Sequence, residues 1–109
     1  MRSMILLAAA LLCAGSAAAA DLARGKQLAD AQCAACHGPE GNAPIDPSYP
    51  RLAGQYADYL AKALADYKSG KRKNAVMAGM AAPLTKADIA SVAAYYASRP
   101  GVLSDQKPK

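Results

Sequence analysis

Everything else in this chain has to be arranged around five residues, Cys33-Ala34-Ala35-Cys36-His37. Two thiols three positions apart, with a histidine directly after the second, form the pattern of a covalent c-type haem attachment site. The order follows from the chemistry. Each cysteine adds across one vinyl group to give a thioether, and the imidazole that follows lies against the haem face and ligates the iron. His37 is the one histidine in 109 residues, so the motif takes the sole imidazole available. A structural zinc site wants four nitrogen or sulfur donors, and two cysteines with one histidine do not supply them. A thioredoxin-like redox pair calls for a βαβ pattern around the motif, and no segment carries one.

The N-terminus sets the compartment. Arg2 is followed by an uncharged apolar run from Met4 to Ala14, and Ala18-Ala19-Ala20 fits a small-residue cleavage site before Asp21. This reads as a secretory signal peptide over residues 1–20, with a single domain over 21–109 and export to the periplasm. The apolar run is shorter than the roughly 20 residues a spanning helix needs, so no stable membrane insertion is expected. Cys13 and two of the four methionines, Met1 and Met4, leave with the leader. A domain this small has little core of its own. A Cys33–Cys36 disulfide would add little, because loop-closure entropy grows with the length enclosed. A haem buried against apolar faces would add far more.

Three stretches carry a helical period and none reads as a strand, so the fold class expected is all-α. The first spans about 22–36, with Leu22, Gly25, Leu28, Ala29, Cys33 and Cys36 on one face. The second spans about 55–69, with Tyr56, Leu60, Ala63, Leu64 and Tyr67 as its stripe, Asp58 and Lys62 as a surface i,i+4 pair, and Gly70 as its stop. The third spans about 86–98. Thr85 and Asp88 form a capping box there, Leu84 and Ile89 a hydrophobic staple, and Pro100-Gly101 the end. Residues 39–54, with prolines at 39, 44, 47 and 50, read as loop, as do residues 70–83.

That second loop holds both remaining methionines, Met77 and Met80. Haem iron needs a second axial ligand or an open site, and no second histidine exists. A methionine thioether favours the reduced iron and suits electron transfer; the chemistry alone does not choose between the two. The chain has six tyrosines and no Phe or Trp, so tyrosines must supply the aromatic packing, with Tyr49 or Tyr56 as candidate partners for a propionate. Its formal charge is +5, concentrated at Lys68, Lys71, Arg72 and Lys73. Such a cluster suits a helix end, and it equally suits steering toward an acidic redox partner. Nucleic acid is not the partner expected of an exported haem protein.

With these features together, the chain resembles class I cytochromes c, in particular the small soluble bacterial monohaem type and one half of the dihaem periplasmic type. The motifs that carry the resemblance are Gly25 eight residues before Cys33, the Cys33–Gly38 run, Tyr49-Pro50-Arg51-Leu52-Ala53-Gly54-Gln55, Met77-Ala78-Gly79-Met80, and Asp88-Ile89 through Ala94-Tyr95-Tyr96. The resemblance implies a cytochrome c fold of three main helices around one covalent haem c, with thioethers at Cys33 and Cys36. It implies His37 as proximal and Met77 as distal iron ligand, with the Pro50 carbonyl accepting the other ring N–H of His37. Gly25 would mark the crossing of the first and last helices, near Val92 and Tyr95. Ala29 departs from the pattern, since many relatives carry an aromatic residue there.

The function implied is a monomeric carrier of single electrons, not an enzyme, exchanging with redox proteins that dock at the Lys68–Lys73 patch. Two alternatives share most of these features. One is a haem subunit of a larger oxidoreductase; the other is a gas- or peroxide-binding haem protein with a labile sixth ligand.

Overall fold

The first helix begins where a carboxylate can cap it. Asp21 has extended backbone, and its side chain accepts from the Arg24 N–H at 3.1 Å, starting helix α1 (Leu22–Leu28). The computed structural model describes residues 20–108, and the leader expected over 1–20 lies almost wholly outside them. The helix does not run evenly to the thiols. A π-helical turn over Ala29–Cys33 intervenes before α2 (Ala34–His37). An α-helix advances about 100° per residue, so the extra residue of a π turn re-aims everything after it. Gly25, Leu28 and Ala29 are buried as expected, whereas Leu22, assigned to the same stripe, is exposed.

The second and third helices match their expected spans closely, as α3 (Ala57–Ser69), ended by Gly70, and α5 (Lys86–Ala97). The surface pair on α3 differs from expectation. Lys62 binds Asp66, one turn further on, while Asp58 turns back to accept from the Tyr59 N–H. The loop reading of residues 70–83 is wrong in its centre, which forms α4 (Ala75–Ala81). Asn74 starts it by accepting from the Met77 N–H at 3.0 Å. The mixed Ala-Val-Met-Ala-Gly-Met-Ala run has no strong apolar period, so tertiary packing on α3 holds the helix in place. A last short helix, α6 (Val102–Asp105), was not expected.

The capping box at α5 is complete in both directions. Asp88 N–H donates to the Thr85 hydroxyl at 3.0 Å, and Thr85 N–H donates to the Asp88 carboxylate at 3.1 Å. That bond and the neighbouring Arg24 hold the Asp88 carboxyl below its usual range. Thr85→Ala is expected to cost about 1 kcal/mol, read as a lower denaturant midpoint. Because the folded carboxyl is the stronger acid, its contribution is full above the unfolded value near ~3.9 and fades as pH falls through the folded one. An Asp88→Asn loss of stability that persisted unchanged in acid below that window would contradict this account.

Leu28, Ala29, Leu60, Leu84, Ile89, Val92, Ala93, Tyr95 and Tyr96 make the core, with Cys33, Leu52, Ala61 and Leu64 packed against it. The expected staple pair, Leu84 and Ile89, is inside it. Helix α5 is the hub, touching both α1 and α3. Three contacts fix α1 on it: Asp21 N–H to the Ser91 hydroxyl at 3.0 Å, Arg24 to Asp88 at 3.4 Å, and Gly25 laid over the Ser91 carbonyl. The crossing therefore sits at Ser91 and Tyr95, one residue from the Val92 expected. Only Tyr95 and Tyr96 are buried among the six tyrosines; Tyr56 and Tyr59 are about half exposed, so Tyr56, placed on the apolar stripe of the second helix, lies outside the core. No helix among the described residues is long and apolar enough to cross a membrane.

Candidate haem site

Anchored to α5 through α1, the π turn and α2 present Cys33, Cys36 and His37 from one end of a single helical run. Cys33 and Cys36 are half-buried free thiols. His37 is 7 % exposed. Its Nδ1 lies 2.8 Å from the Pro50 carbonyl oxygen, which makes that nitrogen the donor and leaves Nε2 with its lone pair free. A carbonyl on the rear nitrogen of a ligating imidazole fixes both the tautomer and the ring's orientation. Tyr49 flanks the ring, with centroids 6.2 Å apart.

Pro50 is held in place by a return of the chain that Gly38 permits. Gly38 has φ of 81°, and a Cβ there would stand 2.1 Å from the Ala43 carbonyl oxygen. The chain thus folds back beneath the thiols, where Ile45 N–H donates to the Cys36 carbonyl at 3.0 Å. Leu52 N–H then donates to the Gly41 carbonyl, and Gly54 N–H to the Tyr96 carbonyl, both at 2.9 Å. Helix α6 closes the outside of this loop, with Ser104 against Gly54 and Lys107 donating to the Gln55 carbonyl at 3.3 Å. The loop motif is therefore a strap tied to α5 at one end and to the haem-binding turn at the other.

The two methionines differ in enclosure. Met77 is half-buried near the start of α4, whereas Met80 is 44 % exposed. Both reach the rest of the fold through the packing of α4 on α3; the imidazole–carbonyl contact, by contrast, joins His37 to Pro50 directly. At Cys33, burial pushes the thiol's proton affinity up, and the Tyr96 hydroxyl beside it pulls it partly back. Sequence reasoning missed Asn74, although the cap in Asn-Ala-Val-Met was legible in retrospect.

The donor set suits covalently held haem. Two thiols and an imidazole with one nitrogen already fixed by backbone match the covalent attachment and one of the iron bonds such a group requires. The basic patch is less uniform than its sequence suggests. Lys68 donates to the Leu84 carbonyl, and the Arg72 guanidinium stacks 4.8 Å over the Tyr67 ring. Lys71 and Lys73 are exposed and make no ion pair among the described residues.

The family model for cytochrome c matches residues 22–99. Cytochrome c4 of Pseudomonas aeruginosa is 48 % identical over 82 residues, which are 75 % of this chain and 40 % of that protein. A thiosulfate dehydrogenase electron acceptor from Thiomonas intermedia is 48 % identical over 66 residues, 61 % of this chain and 30 % of the relative. The crystal structure of reduced cytochrome c4 from Pseudomonas stutzeri superposes with a TM-score of 0.64 at 32 % identity, covering 74 % of this chain and 50 % of that one. The chain thus spans about two-fifths to one-half of the cytochromes c4 it matches. The all-α architecture is that of these proteins, whose family binds covalent haem c, and Cys33 and Cys36 fit its attachment motif.

Proposed function

Since the chain belongs to the cytochrome c family, we propose that it is a periplasmic carrier of single electrons whose haem iron is held by His37 and Met77. One observation carries this reading. The only imidazole in the chain is buried immediately after the second thiol, and its rear nitrogen is fixed on the Pro50 carbonyl. That arrangement keeps Nε2 available as a ligand and lets the ring hold one orientation in both oxidation states. When bound, the haem supplies a one-electron couple between ferrous and ferric iron.

The remaining roles fall to residues of the chain. Cys33 and Cys36 would hold the group covalently, His37 and Met77 would ligate its iron, and the apolar residues Leu28, Leu52, Leu60 and Leu64 would shield it. A thioether as sixth ligand raises the potential and leaves no position for a substrate, so the chain acts as a carrier and not as an enzyme. Export follows from the leader. Cleavage after Ala20 would leave the new terminal nitrogen at Asp21, the atom that donates to the Ser91 hydroxyl. Lys71 and Lys73 offer a cationic edge for an acidic redox partner. The relative named for accepting electrons from thiosulfate dehydrogenase supports a dehydrogenase as the donor class.

Reductive titration of the haem-loaded protein tests the reading. It should take up one electron per chain, stay inert to carbon monoxide when reduced, and exchange electrons with its partner more slowly as ionic strength rises. Ready uptake of carbon monoxide would replace the carrier reading with that of a gas-binding haem protein.

A further inference from the structure

The chain continues past the span matched by the family, which ends at residue 99, and α6 folds back onto the strap. This helix has four residues, none of them buried, and so short a helix has no stability of its own. One side chain closes its first turn. Gly101 N–H donates to the Ser104 hydroxyl at 3.0 Å, and that hydroxyl donates to the Gly101 carbonyl at 2.7 Å. What holds the element in place is contact with Asn42 and with residues 53–56.

The contact is made at three points. Asn42 Nδ2 donates to the Pro100 carbonyl at 3.1 Å. The Ser104 backbone lies so near Gly54 that a Cβ there would stand 2.5 Å from the Ser104 nitrogen. The Lys107 ammonium donates to the Gln55 carbonyl at 3.3 Å and sits 4.7 Å over the centre of the Tyr56 ring, whose face attracts a cation. Pro50 stands four residues before Gly54. It has no N–H to anchor its own position, and its carbonyl is engaged by His37. Its place is therefore set by the strap residues that follow it, which α6 covers from outside.

We infer that residues 100–107 form a clasp on the strap, through which Ser104 and Lys107 keep the Pro50 carbonyl on His37 Nδ1. The inference rests on His37 being an iron ligand. Leu52 and Gly54 tie the strap inward through their N–H groups, to the Gly41 and Tyr96 carbonyls. The clasp closes its outward side, so the strap lifts only when contacts on both sides break. A carbonyl behind a ligating imidazole fixes its tautomer and orientation. The clasp thus governs how firmly the iron's nitrogen ligand is held. Ser104 and Lys107 are positioning residues, acting on the imidazole through the strap.

The test is hydrogen exchange, followed by nuclear magnetic resonance on the full haem-loaded chain in its ferrous state. Lys107→Met and Ser104→Ala should each speed exchange of the His37 Nδ1 proton and the Gly54 amide about fivefold, the effect of one ordinary hydrogen bond on a local opening. The α5 amides of Val92 and Ala93 should keep their parent rates, because the core does not open with the strap. Lys107→Arg, which retains the cation and a donor, should restore the slow exchange at His37. The proposal is overturned if either variant leaves the His37 proton at its parent rate, if the α5 amides speed up equally, or if Lys107→Arg exchanges as fast as Lys107→Met. The His37 ring resonances of the parent separate the two failures. Resonances not displaced by the haem ring current would overturn the ligand assignment together with the proposal, whereas displaced resonances with unmoved exchange would overturn the proposal alone.

Discussion

Replacing Met77 with alanine should turn an iron closed on both sides into one that binds carbon monoxide in the ferrous state. The weak far-red band of thioether-bound ferric iron should vanish with it, and the midpoint potential should fall, because a thioether favours the reduced metal. The described residues contain two thioethers, on α4 at Met77 and Met80. Met77 is the more enclosed, while Met80 is 44 % exposed. Met80→Ala should therefore keep both the band and the indifference to carbon monoxide. If the first variant retains the band, or the second loses it, Met77 is not the ligand and the reading of α4 has to be reversed.

Gly25→Ala should be strongly destabilising. A Cβ there would stand 2.1 Å from the Ser91 carbonyl oxygen and 2.9 Å from the Tyr95 Cβ. The first of these is helix backbone and cannot rotate out of the way. Helix α1 must then lift from α5, carrying the attachment turn with it, at a cost of about 3 kcal/mol, the upper part of the range for overpacking. The gain in helix propensity from glycine to alanine, about 1 kcal/mol, does not offset that. Gly79 provides the contrast. It lies in mid-helix with nothing within 4 Å of a built Cβ, so Gly79→Ala should stabilise by about 0.5–1 kcal/mol. Denaturant midpoints of the two haem-loaded variants should move in opposite directions. A Gly25→Ala protein with an unchanged or higher midpoint would mean that α1 and α5 do not meet as described.

What could be read without coordinates were features whose causes lie within a few residues. The capping box at Thr85 and Asp88, the stop at Gly70 and the three main helical spans depend on neighbours in the chain, and the Cys33–His37 motif carries its chemistry in its order. The errors are instructive for the same reason. Lys62 had two carboxylates in helical reach, Asp58 before it and Asp66 after it, and local spacing alone does not decide which is nearer in the packed helix. Helix α4 was hidden because its small, evenly apolar residues have no face until α3 supplies one. The π turn re-aims the thiols by a residue's rotation, and nothing in Ala-Asp-Ala-Gln-Cys announces it.

The identity of the bound group and the helical class were determined by amino-acid order alone, since covalent chemistry and capping act on adjacent residues. Tertiary structure alone decided how the site is held: Asp21 on Ser91 across 70 positions, and the Gly54 N–H on the Tyr96 carbonyl. These contacts join residues distant in the chain, and they exist only after α1 and the strap have closed on α5. Burial and close approach are properties of the packed chain, so no window along it could have displayed them.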